Sequence, residues 1–167
     1  IKCRMANLKP SCVVIVATIR ALKMHGGVDK KDLQTENVEA LLKGITNLEK
    51  HIKNIDKYNL PYVVAINRFG SDTEKEVEAL ANWAKVNNHP VALSEVFAKG
   101  GEGGIALAEK VLETIETKES NFKVLYEDSL SLKEKIETVA KEIYGAGSVN
   151  YAPAVLKQLE KLESLGY

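Results

Sequence analysis

Apolar positions along the chain fall into two alternating rhythms. Short continuous runs rich in β-branched residues occur at Cys12-Val-Val-Ile-Val-Ala17, Tyr62-Val-Val-Ala-Ile66 and Pro90-Val-Ala-Leu93. They predict strands, and the first reads as buried on both faces, as in a parallel sheet. Between and after them the spacing changes to three and four. Val38, Leu41, Leu42, Ile45, Leu48, Ile52 and Ile55 predict a long amphipathic helix from Glu36 to about Asn59, with Thr35 as N-cap and Leu60-Pro61 as its stop. Ser71-x-x-Glu74 has the form of a capping box and opens a second helix bearing Val77, Leu80, Ala81 and Ala84. A third helix, roughly Ile105 to Glu116, presents Ile105, Ala108, Leu112 and Ile115 on one face.

The order strand–helix, three times over with short connections, predicts an α/β fold with a three-strand parallel core and flanking helices. The rhythm breaks after residue 117. Thr117 to Ser129 is polar and irregular, with Phe122, Leu125 and Tyr126 as anchors. Ser131-x-x-Glu134 and Pro153 then open two further helices. We therefore divide the chain into an α/β part, 1–117, and a C-terminal helical region, 118–167, that reads as a junction to a following domain. The first residues, Ile1-Lys-Cys-Arg, and the end, Leu165-Gly-Tyr167, read as cuts from a longer polypeptide.

Composition narrows the function classes. Of 167 residues, 45% are apolar, enough for a real core, and Lys plus Arg (23) equals Asp plus Glu (23). That balance gives no reason to expect a nucleic-acid or membrane-surface partner. No apolar run approaches the ~20 residues of a membrane span, and no leader pattern is seen. Cys3 and Cys12 are too few for a disulfide framework, so a cytoplasmic setting is the default. No G-x-x-x-x-G-K-[S/T] string occurs, no spacing suggests a metal site, and there is no G-x-S-x-G elbow.

Parallel strands bring their following loops to one edge, where open α/β sheets place ligands. Loop one is Thr18 to Gly27, with Arg20, Lys23, His25 and Gly26-Gly27. Loop two is Asn67-Arg-Phe-Gly-Ser-Asp72, and loop three runs from Ser94 to Gly104. Phe69 and Phe97 are then two aromatics at one edge, suited to stacking a flat heterocycle, and Asn67 offers both a donor and an acceptor to a ring edge. Each has a plainer reading. The two rings would equally seal the sheet against a neighbouring domain, and Asn67 would serve as a turn residue. The glycines before the third helix would meet a purely steric need rather than a phosphate. His25 reads as a turn residue, and Tyr58, Tyr62 and Trp83 as packing.

Four strings in order then carry a family resemblance: Val16-Ala-Thr-Ile-Arg-Ala-Leu-Lys-Met-His-Gly-Gly27; Val63-Val-Ala-Ile-Asn-Arg-Phe69 with Ser71-Asp-Thr73; Ala92-Leu-Ser-Glu-Val-Phe-Ala-Lys-Gly-Gly-Glu-Gly-Gly104; and Lys133-Glu-Lys-Ile-Glu-Thr-Val-Ala-Lys-Glu-Ile-Tyr-Gly145. Together they closely resemble the formate–tetrahydrofolate ligases (10-formyltetrahydrofolate synthetases). The resemblance implies a three-layer, P-loop-like fold and a ligase that uses MgATP to make formyl phosphate from formate. The formyl group then passes to N10 of tetrahydrofolate. It implies an internal segment of the enzyme, with the P-loop upstream, inactive alone and binding no cofactor tightly. Homo-oligomers and the rest of the parent polypeptide are the implied partners. Phe69 and Phe97 match the aromatic pair around the folate ring and Leu93 lines that pocket, while Asn67 and Ser94 fall where related folds read a base. Arg20 and Lys23 are candidate anion stabilisers, or else a solvated or interdomain pair.

Two positions depart from the pattern. Trp is usual where this chain has Phe97, and Pro is usual where it has Gly70. These imply a weaker stack and a more mobile second loop. Two readings from other classes remain: a nucleotide-switch protein using Asn67 and the Ser94 loop for base recognition, and a non-catalytic scaffold. Asn67-Arg-Phe-Gly is a poor match to the N-K-x-D pattern of the former.

Overall fold

A computed structural model describes residues 2–167 and divides them into two compact units, 2–122 and Lys123–Tyr167. In the first unit, α1 (Lys2–Met5) precedes β1 (Val13–Ala17), α2 (Ile19–His25), α3 (Val38–Asp56), β2 (Tyr62–Asn67), α4 (Glu74–Val86), β3 (Val91–Ser94), the single turn α5 (Val96–Lys99) and α6 (Ile105–Thr117). The strands form one sheet in the order β1-β2-β3, and both pairings are parallel. The α/β architecture with a three-strand parallel core is therefore as the sequence predicts.

The two faces of the sheet differ. Ile15, Ala17, Val64, Ile66 and Leu93 pack with Leu41, Ile45, Leu48 and Ile52 of α3 and Val77 and Leu80 of α4 into the core. The other face is covered by α6 over β2 and β3. Consequently Val63, Val64, Ala65 and Ile66 of β2 are all buried, and the larger of these side chains contribute about 1.5–3 kcal/mol each. β1 is covered on one face only. Val14 and Val16 on its other face are exposed, which corrects the expectation of two-sided burial. A continuous apolar run does not reveal whether both covering layers lie within the same 167 residues.

Several local expectations change. Ile19–His25 is a helix, not a loop, because the Thr18 hydroxyl accepts from the Ala21 N–H at 3.2 Å and caps it. Gly26 lets this helix lie directly on α3. A Cβ there would stand 1.9 Å from the Ala40 carbonyl oxygen, and one at Gly44 would stand 1.8 Å from that of Leu22. The cap of α3 is Asn37, two residues later than expected, and its side chain accepts from Ala40 N–H at 2.9 Å. The box that opens α4 is Thr73 with Glu76, not Ser71 with Glu74. On α6 the apolar face points outward. Ile105, Leu112 and Ile115 are exposed while Thr114 is buried, its hydroxyl donating to the Lys110 carbonyl.

The second unit holds α7 (Leu132–Glu142) and α8 (Pro153–Ser164). α7 opens with the predicted Ser131–Glu134 capping box, and Pro153 stands in the first turn of α8. Glu163 of α8 accepts from the Leu132 N–H at 2.8 Å and so satisfies one of the orphan donors at the start of α7. Among the described residues no helix is long and apolar enough to cross a membrane.

Candidate functional site

Parallel register makes the carboxyl ends of the strands level. Ala17 lies opposite Ile66, Ile66 opposite Leu93, and Asn67 opposite Ser94. The Arg68 N–H donates to the Ser94 carbonyl at 3.0 Å, which extends the ladder one step into the loops. Asn67 and Ser94 are therefore neighbours at the rim, Ser94 buried and Asn67 half-buried. The Asn67 side chain bonds to no other group among the described residues, and an amide at a rim keeps its donor and acceptor for something else.

Loop two turns tightly after Arg68. The Asp72 carboxylate accepts from the Phe69 N–H at 2.8 Å, and the Asp72 N–H donates to the Phe69 carbonyl at 2.9 Å. Asp72 is buried, so this closure is shielded from water. It sets Phe69 beside Phe97 of α5. The ring centres are 5.6 Å apart with planes at 53°, a tilted aromatic contact of the favourable kind. Phe69 is half-buried, whereas Phe97 is 77% exposed. The two rings share the same edge but do not flank a ready slot. A flat ring between two parallel ones needs about 7 Å, twice the ~3.5 Å carbon contact distance. One ring must turn before a ligand enters, and the exposed Phe97 has the room to do so.

The cations divide. Arg20, exposed on α2, stands over the Phe69 ring at 5.7 Å and donates to the Ser71 hydroxyl at 3.0 Å. Arg68 pairs with Glu74 at 2.5 Å and with Glu95 at 3.6 Å, and Lys99 pairs with Glu95 at 2.5 Å. The hydrogen bond from Lys99 outweighs the opposing effect of desolvation and, with smaller contributions from the Lys99 and Arg68 charges, lowers the Glu95 carboxyl below its ordinary value.

Lys23 is not at the rim at all. Its side chain is wholly buried, 2.8 Å from the equally buried Glu76, and its ammonium also donates to the Thr35 carbonyl at 3.0 Å. The anion-stabilising role expected of Lys23 is thereby corrected: the ammonium is committed to an internal carboxylate. Burial alone would raise the Glu76 carboxyl. The Lys23 hydrogen bond, the N–H groups of Asn37 and Thr73, and the Lys23 charge outweigh it and hold Glu76 below its ordinary value.

Glu76 was missed in the sequence, although a signal was present. Ile19, Leu22, Lys23 and Gly26 fall at helical spacing, so Lys23 belongs to an apolar stripe and a buried lysine demands a carboxylate partner. Gly26 serves the packing of α2 on α3, and His25 is exposed on the last turn of α2. At the opposite, amino edge, the Tyr62 hydroxyl lies 2.7 Å from His89 Nδ1 and the Trp83 ring packs on His89. These side chains pack the end of the sheet away from the rim. Among the described residues no group of three or more His, Cys, Asp or Glu is placed to hold a metal ion.

A family model described as formate–tetrahydrofolate ligase matches residues 1–167, the entire chain. The chain belongs to that family. Formate, ATP and tetrahydrofolate are the family's substrates, and one-carbon transfer is its chemistry. In this chain Asn67 and Ser94 at the strand ends and Phe69 and Phe97 in the following segments share one edge of the sheet.

Proposed function

We propose that the carboxyl rim of this sheet is the tetrahydrofolate-stacking part of a formate–tetrahydrofolate ligase. The observation that carries the proposal is the contact between Phe69 and Phe97, two aromatics brought from separate loops to one edge, with Leu93 opposite Ile66 just inside it. Phe69 forms the fixed wall and Phe97 swings out to admit the pterin ring. Asn67, beside Ser94, reads the edge of a heterocycle. Arg20 lies close enough to Phe69 to meet a negative group carried by the same ligand.

The reaction proposed is ATP-dependent activation of formate as formyl phosphate, followed by attack of the folate N10 on the formyl carbon and loss of phosphate. These steps ask the protein for positioning and charge neutralisation rather than a covalent intermediate of its own. No phosphate-cradling string lies within the 167 residues, and we propose that the chain works within a longer, homo-oligomeric polypeptide that supplies it. The exposed Val14 and Val16 of β1 support a covered face in that polypeptide, as the free Cys3 and Cys12 support a cytoplasmic setting. The isolated 167 residues are expected to release no ADP with formate and ATP. Formate-dependent ADP release by the purified chain would refute that.

Equilibrium titration of the chain and of the complete ligase with tetrahydrofolate, ATP and GTP tests the assignment. Tetrahydrofolate binding that is lost in Phe69→Ala supports the folate rim. Preferential GTP binding lost in Asn67→Ala would replace it with a nucleotide switch, and binding of none by the complete protein would leave a scaffold.

A further inference from the structure

The buried Lys23–Glu76 pair is closed off from solvent, yet it bonds to the backbone at Thr73, one residue past the loop that carries Phe69. Glu76 accepts from the Asn37 N–H at 2.8 Å and the Thr73 N–H at 3.2 Å, while Lys23 reaches Thr35 at 3.0 Å. One ion pair thus ties α2, the segment entering α3 and the first turn of α4. Three residues earlier on the same helix, Arg20 holds Ser71 at 3.0 Å and lies against the Phe69 ring. Residues 69–72, which include Ser71, are closed on themselves by Asp72.

We propose that α2 is a two-point brace for loop two: Lys23–Glu76 fixes its inner end, Arg20–Ser71 its outer end, and the brace holds Phe69 as the stationary wall of a planar-ligand site. Lys23 and Glu76 are then positioning residues. The ligand part of this inference rests on the folate reading above; the brace itself does not.

The chemistry favours a positioning role over a purely stabilising one. A fully buried ion pair gains little over a well-packed apolar pair of the same volume, but its partners must meet in one geometry. The oxygens of Glu76 serve Lys23 and two backbone N–H groups at once, which leaves the start of α4 no freedom to slide. Phe97 has no comparable tether: it stands on the four-residue α5 with most of its surface in solvent. A stack formed by one held and one swinging ring needs something to hold the first.

The test uses the complete ligase with K23M/E76Q, which removes both charges, keeps side-chain volume and leaves Gln an acceptor for the Asn37 N–H. Amide hydrogen exchange across residues 67–73 is expected to quicken by about tenfold. The KM for tetrahydrofolate is expected to rise by about tenfold, with kcat and the KM values for ATP and formate unchanged. Unchanged exchange overturns the brace, and so does a parallel rise in all three KM values, which would mean general loosening. Phe97→Ala serves as the control for the folate reading. If it leaves the tetrahydrofolate KM unaltered, that reading fails and the exchange rates alone decide the brace. Should the double variant not fold, Ser71→Ala decides: two- to threefold faster exchange at Phe69 is expected, at about the level of one lost surface hydrogen bond, and no change overturns the proposal.

Discussion

Two ion-pair systems bracket the loop that carries Phe69, and their shortest distances are similar. On the inner side Lys23 and Glu76 meet at 2.8 Å with both side chains 0% exposed. On the outer side Glu74, Arg68, Glu95 and Lys99 form a chain of contacts at 2.5, 3.6 and 2.5 Å, open to solvent to varying degrees. Geometry alone would rank the outer system at least equal. Solvent reverses that ranking, because exposed charges are screened and lose side-chain entropy on pairing, whereas a buried charge has no alternative partner. Distance measures whether a pair exists; burial decides what its loss costs.

The largest expected effect tests that contrast directly. Lys23→Met leaves the Glu76 carboxylate buried and unpaired and is expected to cost about 3–5 kcal/mol of stability, read from urea unfolding. K23M/E76Q is expected to recover most of it, since removing both charges removes the uncompensated one. A Lys23→Met loss well under 1 kcal/mol would mean that water reaches the pair, and the contrast between the two systems would collapse.

A smaller effect follows from protonation. Glu76 and Glu95 both have carboxyl groups lowered by their cations, so each favours the folded state above the ordinary glutamate value. That contribution fades as pH falls through the lowered, folded-state value. Only Glu76 is shielded enough for the effect to be large. The stability of the wild-type chain should therefore decline below about pH 4.3, the ordinary glutamate value. K23M/E76Q should flatten that acid limb, whereas Glu95→Gln should leave it in place. Equal flattening by both variants would show that the inner and outer carboxylates are energetically alike.

These outcomes also show what was legible in the sequence. Strand order, parallel pairing and the gathering of Phe69 and Phe97 at one edge followed from apolar runs and chain direction, which depend on local pattern and general topology. The caps at Thr73 and Asn37 were displaced by two residues because several Ser, Thr and Asn side chains compete near each helix start, and tertiary contacts choose among them. In α4 the contact that chose was Glu76 turning inward to Lys23, leaving Glu74 to Arg68. The direction of the apolar face of α6 was not legible for another reason. Ile105, Leu112 and Ile115 do form an apolar stripe, but the surface they suit is not within the first unit. Chain direction brought the two rings to one edge but said nothing of their contact, and aromatic side chains at that distance pack on one another.

The aromatic pair carries the contrast into binding. Phe69 is tethered through Asp72 and Arg20, and Phe97 is not. In the complete ligase, Phe97→Ala removes one stacking face worth about 1 kcal/mol, a several-fold rise in the tetrahydrofolate KM, with the formate KM nearly unchanged. Phe97→Trp should restore or tighten binding by enlarging the mobile face. A Phe97→Ala enzyme with an unaltered tetrahydrofolate KM would remove Phe97 from the site and leave Phe69 as a packing residue.

The smallest expected effect lies at the outer end of the outer system and is the sharpest check on the argument from solvent. Lys99 sits on the single turn α5, four residues from Glu95 and more than half exposed. Its ammonium can exchange the carboxylate for water at little cost, and Glu95 keeps Arg68 on its other side. Lys99→Ala should therefore leave the urea midpoint unchanged within error and make it no more or less sensitive to salt. What should change is Glu95, whose carboxyl loses the hydrogen bond that lowers it most and moves back up toward its ordinary value, measurable by NMR titration of its side-chain carbon. A titration shift without a stability change is the signature of a real but solvent-compensated pair. A measurable drop in the urea midpoint would instead show that Lys99 and Glu95 secure loop three, and the fixed wall at Phe69 would no longer be the only one held by an ion pair.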